Sequence, residues 1–492
     1  ASIWSDVLRL DQVGIHDNFF KIGGDSIISI QIVAKARNQG IHLTVKDIFN
    51  YLTIAQLSLV ANYEGSSQKE KKIGILSNSL VSPIQLWLLK QGKNKFNKLN
   101  HFVVLKINTI CQAEKIQDVF AKIIEKHRIF KSSFKKNKDG CWIHRISNLT
   151  KKNYLEEVFI KDIKNLKLEI LNQIKKTERK INVERGGVFK VLVFNYKYRV
   201  MFVGIIVNHL IIDPYSWKIL ISDFYNIFND NINHSEESGD YLEYSKRINA
   251  FFKNCKKNLS FWKNFESIPK IEKKSKGFLT SSVKSLETCI SKTQTKKLLS
   301  IKNNCTNYQM ILTILLIAIS ECSKKTKISI TLKDHGRDLP FTDIMFQNTI
   351  GWFTTFYPAT IQLSNPSDFF KSQQEVSEQL NKIPYGGIGY LYAADKINLS
   401  LPIISFDYID SLSKLNYPLG NNFQFLDIKN IYDINPISSN SLYLPEVDFV
   451  CTVNNKNIIL KCFYNKNKYQ HFNLEEIILK FNSLSTEYTK YV

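Results

Sequence analysis

Two side chains in this sequence stand where reactive chemistry is easiest to support. Ser26 follows a Gly23-Gly24-Asp25 turn and opens an apolar segment through Ile27, Ile28 and Ile30. The glycines give a tight turn. The helix that must follow offers unpaired N–H groups and the positive end of its dipole, so a serine there can carry a phosphate ester. The N-cap of an ordinary helix describes the same backbone. His209 comes directly after an apolar run at 200–207 that reads as a buried strand. Strand ends are common places for reactive side chains, and imidazole exchanges a proton near neutrality. A histidine fixed structurally at a strand end fits the same pattern.

The elements that must position these residues need more than one core. A chain of 492 residues calls for about two to four domains. Residues 1 to about 63 read as a small helical bundle, with helices near 3–10, 26–38, 45–49 and 54–61, Gly40 closing the second and Thr44 capping the third. The polar stretch 64–72 is a linker by composition. Beyond Leu80 strands and helices alternate. Strands are expected at 102–107, 193–195, 200–207, 328–332 and 450–454, and helices at 113–126, 216–229, 294–303, 309–322 and 473–491. A second lysine-rich polar stretch, 269–276, marks a boundary between two α/β lobes.

Composition excludes several classes. The richest apolar run, 312–319, is too short to span a bilayer, and no secretory signal opens the chain. Eight cysteines with no CxxC pair read as free thiols of a reducing cytoplasm, and nine histidines form no metal-ligand spacing. The net charge of +23 comes from lysines scattered through an Asn- and Ile-rich background, without a nucleic-acid-binding motif. Solvated lysine surface explains it better, so neither nucleic acid nor membrane is an expected partner.

The segment DNFFKIGGDSIIS (17–29), with IWSDVLRL before it, closely resembles the attachment site of peptidyl carrier domains in nonribosomal peptide synthetases. From about Leu80 onward the chain resembles the epimerization domains of the same synthetases, a branch of the condensation-domain superfamily. SPIQLWLL (82–89), EKHRIFKSSF (125–134), NHLIIDPYSW (208–217), DHGRD (334–338), IGWFTTFYP (350–358), PYGGIGY (384–390) and FDYID (406–410) follow in family order. Asp25 fits too, since carriers preceding an epimerase tend to read GGDS.

The resemblance implies a four-helix carrier bundle followed by a chloramphenicol-acetyltransferase-like pseudo-dimer of two α/β lobes facing each other across a tunnel. The implied domains are 1–63 carrier, 64–79 linker, 80–268 first lobe and 269–492 second lobe. Ser26 would carry a covalent 4′-phosphopantetheine arm, installed by a phosphopantetheinyl transferase. An upstream adenylation domain and a downstream condensation domain would be the neighbours. The implied isomerase reaction is L/D epimerization at the α-carbon of an aminoacyl or peptidyl thioester, without metal or redox cofactor. A base must remove the α-proton, the enolate must be stabilised, and a second group must return a proton from the other face.

The chain departs from the family at those places. The histidine pair is Asn208-His209, leaving His209 at the catalytic position; the motif glycine is Pro214; the family glutamate is Lys333. Asp407 stands where the family has asparagine, an acid gained near one lost, and Lys333 could itself replace the glutamate. Asp334 neighbours Lys333 on a strand and so points to the opposite face. Asp213 and Arg337 are expected to pair across the lobes, while His335, Trp352 and Tyr408 shape the tunnel. Two other readings stand beside epimerization: a degenerate domain that binds the carrier as a scaffold, and condensation.

Overall fold

The structure is a computed structural model. It describes all residues except 9, 25, 44–46, 49–50, 64–75, 93–95, 148–153, 161–164, 198, 231–238, 266–277, 280–282, 302–304, 338, 340–345, 398–400, 411–421, 427–441, 444–445, 455–456, 466–472 and 492. The expected third carrier helix with its Thr44 cap, the 64–72 linker and the 269–276 boundary therefore lie largely or wholly outside the described residues, as does Asp25.

At the N-terminus, helices Ser2–Leu8, Ser26–Asn38 and Ile54–Ser58 surround a separate apolar cluster of Trp4, Phe19, Ile32, Val33, Ala36, Ile48 and Leu57. Gly24 lies against this core: a Cβ there would come within 2.4 Å of the Phe19 ring, so the turn before the Ser26–Asn38 helix requires glycine.

Two large mixed sheets carry the rest, with a smaller antiparallel sheet in the order Asn78–Leu80, Trp142–Ile146 and Ser132–Lys136 and a two-stranded ribbon of Phe278–Leu279 with Leu442–Tyr443. The first runs in the order Phe423–Phe425, Asn100–Ile107, Arg199–Asn208, Phe189–Tyr196 and Leu155–Phe159; the second runs Val283–Ile290, Asn457–Asn465, Val447–Asn454, Ile404–Asp410, Lys327–Asp334 and Thr355–Gln362. The second half of the chain does not stay in its own lobe, because Phe423–Phe425 adds an antiparallel strand beside Asn100–Ile107. That strand covers what would otherwise be an open sheet edge.

The helices follow from local sequence. Ala113–Lys126 buries Ile116, Val119, Phe120, Ile123 and Ile124, a single helical face. Asn307–Ser323 starts in a Thr306/Gln309 capping box and is apolar nearly all round, as befits a helix inside the second lobe. The helix expected at 216–229 is Pro214–Phe228: Asp213 caps it and Pro214 takes the first helical position, two start signals that precede the apolar pattern. The helix expected at 294–303 is Lys292–Leu299, begun earlier by its Ser291 cap. One continuous apolar core, from Phe120 and Val207 to Leu315 and Phe406, joins both lobes. No helix among the described residues is long and apolar enough to cross a membrane.

Candidate active site

His209 leaves the end of the Arg199–Asn208 strand in a short 3-10 turn, His209–Ile211. The turn is set by Asn208, which is fully buried: its side-chain amide donates to the Phe96 carbonyl at 2.8 Å and to Asn100 Oδ1 at 2.9 Å, and its Oδ1 accepts from the Leu210 N–H at 3.1 Å. The His209 ring is thereby fixed. Its Nδ1 lies 2.7 Å from the Ile212 carbonyl, which can only accept. Nδ1 therefore carries the proton, and Nε2 keeps its lone pair.

The imidazole is sandwiched. His101, on the neighbouring Asn100–Ile107 strand, lies 4.3 Å away ring to ring, and the Trp352 indole from the second lobe stacks on it at 4.3 Å with planes 28° apart. Burial holds the His209 pKa below the ordinary histidine value; the Ile212 bond and Asp213 oppose this, and the Lys333 cation adds to it. His101 is pushed lower still by burial and by His209.

Lys333 belongs to the Lys327–Asp334 strand, and strand alternation decides its partners. Thr331 is in register with Ser405, and Ser405 with Asp448. Lys333, Ser405, Asp407 and Asp448 thus share one sheet face. Lys333 Nζ sits 3.4 Å from Asp407 and 3.2 Å from the buried Asp448. Burial alone would lower the lysine pKa; Asp448 and then Asp407 more than reverse this, so the ammonium keeps its proton. Asp407 is raised above the usual carboxylate value by burial, against the pull of Lys333 and with the push of Asp448.

Asp334 faces the other way. It accepts from the His335 N–H at 2.6 Å and bears on Tyr308 and Tyr357, whose hydroxyls burial keeps protonated. Tyr408 shares that opposite face by alternation and packs against Tyr308 at 6.3 Å, away from Lys333.

Asp213, Arg337 and Trp352 meet where the lobes join. Asp213 Oδ1 accepts from the Ser216 N–H at 2.7 Å, and Oδ2 accepts from the Phe353 N–H at 3.0 Å. Arg337 lies farther from Asp213, at 3.5 Å, and is held mainly by the carbonyls of Phe346 and Thr349, the Ser216 hydroxyl and the rings of Tyr215 and Phe353. Tyr241 donates to the Trp352 carbonyl at 2.5 Å. His335 Nδ1 accepts from the Arg337 N–H at 3.0 Å. Gly336 has φ +64°, and a Cβ there would fall 1.9 Å from the Phe353 carbonyl oxygen. His335 and Gly336 therefore shape the turn that delivers Arg337 to the junction.

Sequence reasoning missed His101, Ser405 and Asp448. His101 is adjacent to His209 only through strand pairing, with Val207 its register partner. Asp448 carried one legible signal, the single charge in the largely apolar strand Val447–Asn454.

Ser26 is the first residue of its helix. The glycine turn pressed on Phe19 and the helix start behind it fit a serine that carries a phosphate ester.

Comparison with known proteins gives the context. Residues 77–489 match the family model described as condensation domain, and residues 1–60 match that described as phosphopantetheine attachment site. The chain is 29% identical over 410 residues to bacitracin synthase 2 of Bacillus licheniformis, covering 79% of this chain and 15% of that protein. It is 25% identical over 478 residues to tyrocidine synthase 2 of Brevibacillus parabrevis, covering 92% and 13%. The chain thus spans only a small part of these relatives. Among solved structures, the epimerization domain from the third module of tyrocidine synthetase B superposes with a TM-score of 0.70 at 18% identity, over 86% of this chain and 99% of that one. The condensation domain of the Monacolin K polyketide synthase gives 0.65 at 11% identity, over 85% and 98%. These likenesses describe the two-lobe α/β fold. The chain belongs to the condensation-domain family, with a phosphopantetheine attachment domain in front of it.

Proposed function

We propose that this chain is a carrier–epimerization didomain of a nonribosomal peptide synthetase, interconverting L and D forms of a residue tethered to Ser26. The carrying observation is His209: the Ile212 carbonyl holds its Nδ1 proton, which leaves Nε2 as a base within electrostatic reach of the Lys333 cation.

In this reading 4′-phosphopantetheine on Ser26, when present, holds the residue as a thioester whose carbonyl acidifies the α-carbon. His209 Nε2 takes the α-proton. The Lys333 ammonium, seated by Asp407, offsets the negative charge that develops on the thioester carbonyl oxygen and returns a proton to the opposite face. Both groups then re-equilibrate with solvent. Asp213 and Arg337 hold the lobes in register, and Trp352 keeps water off the imidazole. The four-helix form of the carrier and the limits 1–63, 64–79, 80–268 and 269–492 belong to the same proposal. So do the phosphopantetheinyl transferase, the upstream adenylation domain and the downstream condensation domain as partners.

One observation favours a second reading, a scaffold that binds the loaded carrier without chemistry. Lys333 stands at the family's glutamate and holds its proton too firmly to serve as a carboxylate-like base. Chirality separates the two. The chain is loaded at Ser26 with an L-aminoacyl- or dipeptidyl-pantetheine, hydrolysed, and the released residue resolved. Mixed chirality, lost in His209→Ala, supports the epimerase; retained L chirality across several loaded residues supports the scaffold.

A further inference from the structure

Asp448 has no part in the reaction just described, yet it is the carboxylate that Lys333 approaches most closely. We infer that Asp448 is a positioning residue for Lys333: with Asp407 it seats the ammonium, keeps it charged and fixes where it points. The inference rests on the proposed epimerization for the use of the cation, though not for the seat itself.

Both carboxylate oxygens of Asp448 contact Lys333 Nζ, at 3.3 and 3.2 Å. The Asp448 side chain is only 3% exposed, against 25% for Lys333 and 23% for Asp407. The Ser405 hydroxyl also donates to Asp448 Oδ1. A carboxylate buried this deeply requires a cation and hydrogen bonds close by, and Lys333 and Ser405 supply them. The sheet explains how: three adjacent strands put Thr331, Ser405 and Asp448 in one row, and the lysine, two residues along its strand from Thr331, reaches back to that row. On the other flank Lys333 pairs with Phe356, which brings no charge. Asp334 faces away, Asp407 flanks the ammonium, and His209 faces it from the first lobe. Asp448 also bears on the buried Cys462 thiol, raising its pKa together with burial.

The arrangement makes residues 333 and 448 interdependent. A glutamate at 333 would put a third carboxylate beside Asp407 and Asp448. With Lys333 present, two carboxylates hold one ammonium between them, which fixes both its charge and its direction.

Pulse acetylation of the full chain with acetic anhydride, across pH 7 to 11, tests the seat directly. Peptide mass spectrometry follows Lys333 against the exposed Lys297 and Lys371. The pH of half-maximal labelling reports the charge of the amine, whereas a change in access alone scales labelling equally at every pH. Lys333 is expected to reach half-labelling at higher pH than the two reference lysines. Asp448→Asn should bring that midpoint down by at least one unit, about tenfold faster labelling at fixed pH. A wild-type midpoint at or below the reference lysines overturns the inference, whether or not the variant folds. A folded Asp448→Asn protein with an unmoved midpoint also overturns it. Because no turnover is read, absence of epimerization leaves this measurement unaffected.

Discussion

The imidazole of His209 and the indole of Trp352 come from different lobes and lie face to face, 4.3 Å apart. The stack makes the junction between lobes part of the environment of the base. With water excluded from that face, the imidazolium form is disfavoured and the neutral base persists into mildly acidic solution.

Opening the stack should therefore move a pH limb. In Trp352→Ala the imidazolium regains solvent, and the acidic limb of α-proton exchange should shift to higher pH. Rate–pH profiles of both proteins measure it. An unmoved limb with a lower plateau would assign Trp352 to substrate placement alone.

The alkaline side should differ from that of an ordinary lysine. Lys333 is held above the usual lysine range, so exchange should stay level through about pH 10.5, where an ordinary lysine has lost about half its charge. A decline centred at or below about pH 10.4 in the same profile would show that Lys333 titrates as an unseated amine.

Acid should unfold the chain through its buried histidines. His144 is fully buried, stacks on Phe134, and lies 2.6 Å from the Ser132 hydroxyl, which itself donates to Ile129; burial pushes its pKa to about 3. His101 and His209 are lowered as well. A histidine whose folded pKa is depressed binds its proton more readily in the unfolded chain, so stability is intact above the unfolded value, about 6.5, and falls as pH drops from there toward the folded value. Each such histidine costs about 1.4 kcal/mol per pH unit within its window. Denaturant midpoints from pH 7 to pH 4 check this, and a flat profile would contradict it.

Placing at position 333 the glutamate that the resemblance to epimerization domains implies should not create a working base there. Lys333→Glu leaves Asp448 and Asp407 without their ammonium and adds a third negative charge beside them. The expected result is about 3 kcal/mol of lost stability and no gain in exchange. Urea unfolding of the variant decides the first point and deuterium uptake the second.

The sequence made the local elements and the chemistry of single residues legible, and much less of their combination. The 113–126 helix was readable because its apolar positions repeat with helical spacing. His209 was readable because it ends an apolar strand. The partners of Lys333 were not, since Asp407 and Asp448 reach it through the register of parallel strands that no local pattern records. Asp213 shows the same limit. The resemblance implied an ion pair with Arg337, which the structure has at 3.5 Å, but the shorter bonds of Asp213 go to the backbone N–H groups of Ser216 and Phe353. Those bonds depend on where the Phe353 backbone passes, which Gly336 alone allows among residue types by its left-handed conformation and missing Cβ.

Deuterium uptake at the α-carbon tests the central claim most directly. The chain, loaded at Ser26 with a protiated L-aminoacyl-pantetheine in deuterated water, should release a residue carrying one α-deuterium, with uptake at least ~100-fold slower in His209→Ala. Uptake that is absent while loading succeeds, or that survives His209→Ala unchanged, would contradict His209 as the base of an epimerase.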